Sequence, residues 1–162
     1  IELGHRSFLF IGVTEKDEAV GILRKKGFTD VVAQMEGTKL SFIETSFSRS
    51  ETYQKARLFL KENQATYLAC ATDNIAVAVL KAAHELGLRV PEDFSLSGFG
   101  GYDSTDYVFP TITTTHYPYH QLGVDAVETI QKLIQQVQVP ELIKLPNQLV
   151  IKQSTIPIKQ IP

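Results

Sequence analysis

Four histidines, one cysteine and 18 acidic residues are the groups from which this 162-residue chain would build a metal site or a nucleophile. None of them falls into a pattern that does so. Among His5, His84, His116 and His120, only the last two stand four apart, and Pro118 between them breaks the helix face they would need to share. Neither H-E-x-x-H nor G-x-S-x-G occurs. Cys70 lies in the apolar run Tyr67-Leu68-Ala69-Cys70-Ala71 and reads as a small buried hydrophobe. The glycine run Gly98-Phe99-Gly100-Gly101-Tyr102-Asp103 matches neither G-x-x-x-x-G-K-[ST] nor G-x-G-x-x-G, so it reads as a tight turn. No catalytic residue, metal site or cofactor is assigned.

A different set remains: Arg24, Phe47, Thr72, Asp73 and Asp103, which is a cation, a ring, a hydroxyl and two carboxylates. An aromatic face stacks on sugar C–H groups, while Arg, Thr and Asp hydrogen-bond hydroxyls. A polar neutral ligand with an apolar face, such as a sugar, suits that mixture. Each residue also has an ordinary reading. Asp73 or Thr72 can cap a helix, Arg24 can be a surface helix residue, and Phe47 can belong to a satellite core.

These residues gain meaning from the elements that carry them. Ser7–Val13 (SFLFIGV) is an apolar run of strand length rich in β-formers, the mark of a strand buried on both faces. A helix follows from Ala19 to about Met35, then a strand from Leu40 to Thr45. Ser48 or Ser50 can cap a helix over Glu51–Asn63. A buried strand spans Thr66–Thr72, and Asp73 is placed as N-cap of the helix Asn74–Leu86, closed by Gly87. A fourth strand runs Phe94–Phe99. The order βαβαβαβ predicts a doubly wound parallel sheet, whose ligands sit beyond the carboxyl ends of the strands. Those ends deliver Thr14, Phe47, Thr72-Asp73 and the Phe99–Asp103 loop to one edge. Further on, the sequence predicts a short strand Pro110–Thr115, a helix Tyr119–Gln136 and a last strand Asn147–Ser154. The tail Ile156–Pro162 reads as an extended strap or as disordered. Leu3-Gly4-His5-Arg6 reads as the end of a helix with Gly4 in the left-handed position.

The helix Asn74–Leu86 is apolar on nearly every side. It demands cover on a second face, either from neighbouring helices or from a second copy through Val77 and Ala78. The net charge of −2 offers no basic field for nucleic acid, so any DNA-binding part is expected outside this chain. One cysteine permits no intramolecular disulfide and fits a reducing, cytoplasmic setting. No signal peptide and no apolar stretch of about 18 residues is present, so no membrane partner is expected. The lack of an initiator Met reads as a fragment or processed form.

Several segments resemble, in order, those of LacI/GalR-type transcription regulators. Leu3-Gly4-His5-Arg6 before SFLFIGV is similar to their "LGHR-x-I-x-F-I-G", and Arg24-Lys25-Lys26-Gly27-Phe28 to "R-x-x-G-F/Y". Ala71-Thr72-Asp73-Asn74-Ile75-Ala76 resembles "x-N/T/S-D-x-x-A", and Pro110-Thr111-Ile112-Thr113-Thr114 resembles "P-x-L-T-T-v". Gln121-Leu122-Gly123 with the following helix resembles their "G-x-x-A" element. The block Gly87-Leu88-Arg89-Val90-Pro91-Glu92-Asp93-Phe94-Ser95-Leu96-Ser97-Gly98-Phe99 is very close to "G-L-x-V-P-x-D-v-S-v-x-G-F/Y" and is the most specific of them. The Gly98–Tyr102 variant resembles sucrose operon repressors of Gram-positive bacteria.

This resemblance implies a periplasmic-binding-protein-like type I α/β fold. Residues 1–110 would form a C-terminal lobe with a truncated start. Residues 111–139 would supply the crossing strand and helix of an N-terminal lobe, and 140–162 the return strand and tail. Arg24, Phe47, Thr72, Asp73, Tyr117 and Tyr119 would then line an effector cleft. Gly100 stands where many members carry an effector-binding Asp, so Asp103 would substitute or the carboxylate would be lost. The implied partners are a sugar or sugar phosphate, operator DNA through a helix-turn-helix outside these residues, and a second copy held through Val77, Ala78 and Tyr107. A solute-binding protein of a sugar transporter shares the fold and stays open as an alternative, as does a small flavodoxin-like enzyme.

Overall fold

In the computed structural model, which describes residues 2–158, four strands form one parallel sheet in the order β2-β1-β3-β4. They are β1 (Ser7–Gly12), β2 (Lys39–Glu44), β3 (Tyr67–Cys70) and β4 (Ser95–Ser97). Strand β1 pairs along its whole length with β2, from Ser7 opposite Lys39 to Gly12 opposite Glu44, and on its other side with β3. Its central place explains its unbroken apolar run, because helices cover both faces. The helices are α1 (Arg24–Val32), α2 (Arg49–Phe59), α3 (Asp73–Glu85) and α4 (Tyr119–Ile134). The core gathers Leu9, Ile11, Leu68, Ile75, Val79 and Leu96.

The first helix begins unusually. Glu18–Leu23 wind as a π-helix that runs straight into α1, with the Asp17 carboxylate accepting from the Val20 amide at 2.7 Å. Gly21 makes this possible. A Cβ there would lie 2.1 Å from the Thr14 carbonyl oxygen, so only glycine lets the helix start press against the loop that leaves β1. Wide turns of this kind recur at functional sites, and this one sets the angle at which Arg24 emerges.

Helix α2 is capped by Ser48, whose Oγ accepts from the Glu51 amide at 3.3 Å. Helix α3 is capped by Thr72, not by Asp73 as the sequence suggested. The Thr72 Oγ1 accepts from the Ile75 amide at 3.2 Å, and Asp73 is the first helical residue. Both are good cap formers, but the Asp73 carboxylate is taken by the Tyr102 amide and the Thr114 hydroxyl, which leaves the cap to Thr72. Helix α3 packs on α2, β3, β4 and the turn Asp103–Thr105. Its second apolar face is therefore covered largely from within the chain. Ala78 is only 4% exposed, too buried to supply the contact between copies read from the pattern, and Val77 is half-buried.

Beyond β4 the chain leaves the sheet and returns. Strand β5 (Thr114–His116) pairs antiparallel with β6 (Gln148–Val150). The two crossing segments are stitched to β4 and to each other. The Leu96 amide donates to the Ser154 carbonyl at 2.8 Å, the Ser154 hydroxyl donates to the Leu96 carbonyl at 2.6 Å, and the Thr113 amide donates to Ser154 Oγ at 2.9 Å. Between the crossings, α4 has no buried residue, and Leu122, Val127, Ile130 and Leu133 are each more than half exposed. The tail stays extended through Ile158, whose amide donates to the Leu3 carbonyl. The rest of the tail, 159–162, lies outside the described residues. Gly4 takes the left-handed conformation expected of it, with φ +81°.

Candidate functional site

Because the four strands are parallel, the loops that leave them meet at one edge. Arg24, in the first turn of α1, reaches across this edge. Its Nη1 donates to the Ala71 carbonyl at 2.5 Å and its Nη2 to the Tyr117 hydroxyl at 3.1 Å. Its guanidinium carbon lies 4.3 Å from the centre of the Phe99 ring and 5.9 Å from that of Tyr117. A cation over two aromatic faces gains from their quadrupoles. One side chain thus touches the loop after β3, the loop after β4 and the crossing segment after β5.

The rings form a connected tier. Phe99 and Tyr117 lie 5.4 Å apart edge to face, and Tyr117 and Tyr119 lie 5.7 Å apart. The Tyr119 hydroxyl donates to the Gly100 carbonyl at 2.8 Å, and burial together with nearby acidic groups pushes its pKa up, so it stays protonated. Phe47 stands at the same edge, after β2, and is 52% exposed. It is therefore a presented ring and not a satellite core residue.

Asp73 behaves differently from the rest. It is fully buried, and its carboxylate accepts from the Tyr102 amide at 2.7 Å and from the Thr114 hydroxyl at 2.6 Å. Its own amide donates to the Phe99 carbonyl at 3.0 Å. Asp73 thus ties the start of α3 to the β4 loop and to β5, and it offers nothing to a ligand. Gly98 exists for it, since a Cβ there would sit 2.2 Å from Asp73 Oδ1. Gly100 has φ +136°, a backbone that L side chains rarely adopt, which bars an aspartate from that position. Asp103 opens the turn Asp103–Thr105, is exposed, and its carboxylate makes no hydrogen bond among the described residues.

The structure thus brings Arg24, Tyr117 and Tyr119 together beside Thr72, sets Phe47 on the same edge, withdraws Asp73 into the fold and leaves Asp103 on the surface. Two features escaped sequence reasoning. Phe99 is the platform on which Arg24 lies. Arg49, the first residue of α2, donates through Nε and Nη2 to Asn74 Oδ1 at 2.9 and 2.5 Å, bridging the first turns of α2 and α3. A basic residue directly after a helix cap at a strand's carboxyl end was the available signal for Arg49.

The model of the periplasmic binding protein-like domain matches residues 1–155. Among curated proteins, the chain is 30% identical to the arabinose metabolism transcriptional repressor of Geobacillus stearothermophilus, over 96% of its own length and 44% of that protein's. It is likewise 30% identical to the transcriptional repressor PurR of Shigella dysenteriae, over 95% of its length and 46% of the repressor's. Among solved structures, a LacI family regulator of Enterococcus faecalis with bound ribose superposes with a TM-score of 0.84 at 30% identity, over 98% of this chain and 57% of that one. The dimeric Lac repressor superposes with a TM-score of 0.87 at 24% identity, over 96% of this chain and 57% of that one, a likeness of fold alone. The chain spans less than half the length of these curated repressors.

Proposed function

Because the chain belongs to the periplasmic-binding-protein-like family, and within it to the effector-binding regions of LacI/GalR-type regulators, we propose that its strand-end rim is half of a sugar-sensing cleft in a transcriptional repressor. The observation that carries this reading is Arg24, held over Phe99 and hydrogen-bonded to both Ala71 and Tyr117. A ligand that takes up those donors engages the lobe and the crossing segment at once. It then favours one arrangement of the two lobes over another, which changes the spacing of DNA-binding heads and the affinity for operator DNA.

In this reading residues 1–110 form the C-terminal lobe, 111–139 lend β5 and α4 to an N-terminal lobe, and 140–162 return. The exposed apolar stripe of α4 supports this division, since such a stripe needs a covering layer. Tyr107 and Phe109, 86% and 85% exposed, together with the half-buried Val77, are the residues proposed to meet a second copy. The head that reads DNA belongs to the remainder of the full-length protein, which acts in the cytoplasm and is not an enzyme. Among the described residues no helix is long and apolar enough to cross a membrane.

Isothermal titration of the full-length protein with a panel of pentoses, hexoses and disaccharides tests the reading. One or more sugars should release heat and weaken operator binding, and Arg24→Ala should abolish both effects. Silence from the whole panel, with and without phosphate esters, defeats it.

A further inference from the structure

We infer that the ligand of this rim is an anionic sugar, a sugar phosphate, and that Arg49 is a second cation that selects it. The inference rests on the sugar-sensing reading above and specifies the ligand's charge. Two arginines converge on one short junction, Ala71–Asn74, between β3 and α3. Arg24 bonds to the carbonyl at one end of it and Arg49 to the side chain at the other. Neither forms an ion pair with a carboxylate among the described residues, a condition shared by Arg6, Lys16, Lys39, Arg57, Lys61, Lys132 and Lys144; what sets the two apart is their place at the strand-end rim. Arg49 rests instead on a neutral amide oxygen, an acceptor that a stronger one can replace.

Two carboxylates next to this junction are otherwise occupied. Asp73 is fully buried, with one bond to each carboxylate oxygen, from the Tyr102 amide and the Thr114 hydroxyl. Glu51, on the turn that follows Arg49, is held by Lys55 and Ser46. Gly100 excludes an acid by its φ of +136°, so Asp103, exposed on the turn beyond, is the one free carboxylate of that loop.

The balance of donors and acceptors points the same way. Sugar hydroxyls need both, and carboxylates are the strong acceptors for their protons. This rim is short of acceptors and rich in donors, because each guanidinium keeps most of its five N–H groups. A phosphate ester presents only acceptor oxygens and carries about −1.5 to −2 charge at neutral pH, which two guanidinium groups neutralise. The planar fork of Arg49 suits such an oxygen pair better than an ammonium would.

Paired titrations of the full-length protein test this: ribose against ribose 5-phosphate, glucose against glucose 6-phosphate, sucrose against sucrose 6-phosphate, with inorganic phosphate alone as a further probe. For at least one pair the ester should bind about tenfold tighter or better, as charge-assisted hydrogen bonds are stronger than neutral ones. The margin should shrink as salt rises and as pH falls below about 6, where the phosphate takes up a proton. Arg49→Gln should reduce ester affinity by about tenfold while affecting the free sugar less, and Arg49→Lys should restore part of the loss. Since Arg49 is exposed, an unchanged melting temperature should accompany both variants. Free sugars that bind as tightly as their esters overturn the charge assignment and leave the sugar-sensing reading intact. An ester margin that survives Arg49→Gln overturns the role of Arg49. No binding by any compound overturns both readings together.

Discussion

Replacing Asp73 by Ala separates an anchor from a ligand contact. The carboxylate accepts two hydrogen bonds, at 2.7 Å from the Tyr102 amide and 2.6 Å from the Thr114 hydroxyl, and it is fully buried. Bonds to a charged acceptor contribute about 1.5–3 kcal/mol each, and a buried donor left unpaired costs about 1–3 kcal/mol. Two effects reduce the sum. The Thr114 hydroxyl can turn toward another acceptor, and relieving a buried charge of its desolvation penalty works in favour of the variant. The expected net loss is about 2–3 kcal/mol in the ligand-free protein. Asp73→Asn keeps one acceptor oxygen and should lose about half of that. Urea unfolding of the ligand-free full-length protein, followed by circular dichroism, reads both values as shifts in midpoint at constant slope. If Asp73→Ala left the ligand-free midpoint unchanged while abolishing ligand binding, Asp73 would be a ligand contact and the anchoring argument would be wrong.

Gly98→Ala should be at least as damaging as Asp73→Ala, because its Cβ would meet Asp73 at 2.2 Å from Oδ1 and 3.0 Å from Cα. Gly27→Ala in α1, where nothing lies within 4 Å, should instead gain about 0.5–1 kcal/mol, and the same urea unfolding checks both. His5, whose ring nitrogens bond to Thr66 Oγ1 and the Ile156 carbonyl, has its pKa lowered chiefly by burial. The unfolded chain therefore binds the proton first as pH falls. Its contribution to stability is complete above the ordinary histidine value near 6.5 and is lost as pH drops from there toward the lowered value. Unfolding midpoints measured from pH 8 to 5 should show that decline, and His5→Gln should flatten it. In the full-length protein Ile130→Ala should cost about 2–4 kcal/mol in urea unfolding if another layer buries α4, and almost nothing if the helix remains more than half exposed as here.

What the sequence makes legible follows from how many constraints each residue obeys. Strand β1 reads clearly because both faces are buried, so every position from Phe8 to Val13 must be apolar. The glycines announce turns, and the serine before α2 announces its cap. In the sequence the cap of α3 reads as Asp73, because Thr72 and Asp73 are both good caps and only the long-range bonds of the Asp73 carboxylate to Tyr102 and Thr114 leave the role to Thr72. The π-helical start of the first helix leaves no periodic trace over six residues. Ala78 looks the same in sequence whether α2 or a second copy covers it. The rim was legible as a place, since parallel strands dictate it, whereas the partners of Arg24 and Arg49 depend on side-chain reach that no pattern encodes.

The site's economy lies in the double attachment of Arg24. Its bond to Ala71 belongs to the sheet that carries the rim, and its bond to Tyr117 belongs to the segment that enters α4. Tyr119, two residues on, is tied to the Gly100 carbonyl, and the Gly100 amide donates to the Thr115 carbonyl. Sheet and crossing are therefore joined by bonds that lie at the rim itself. A ligand that takes the Arg24 N–H groups now bonded to Ala71 or Tyr117 alters at least one of these joints. Its binding energy then differs between arrangements of the crossing, and only such a difference shifts a conformational equilibrium. Tyr117→Phe tests the point, because it removes one joint and keeps the ring beside Phe99. Under the sensing reading it should leave ligand affinity within a few-fold and reduce the effect of ligand on operator affinity. A variant with the full ligand response would show that the crossing takes its position from the joints that remain, Tyr119–Gly100, Gly100–Thr115 and Thr113–Ser154.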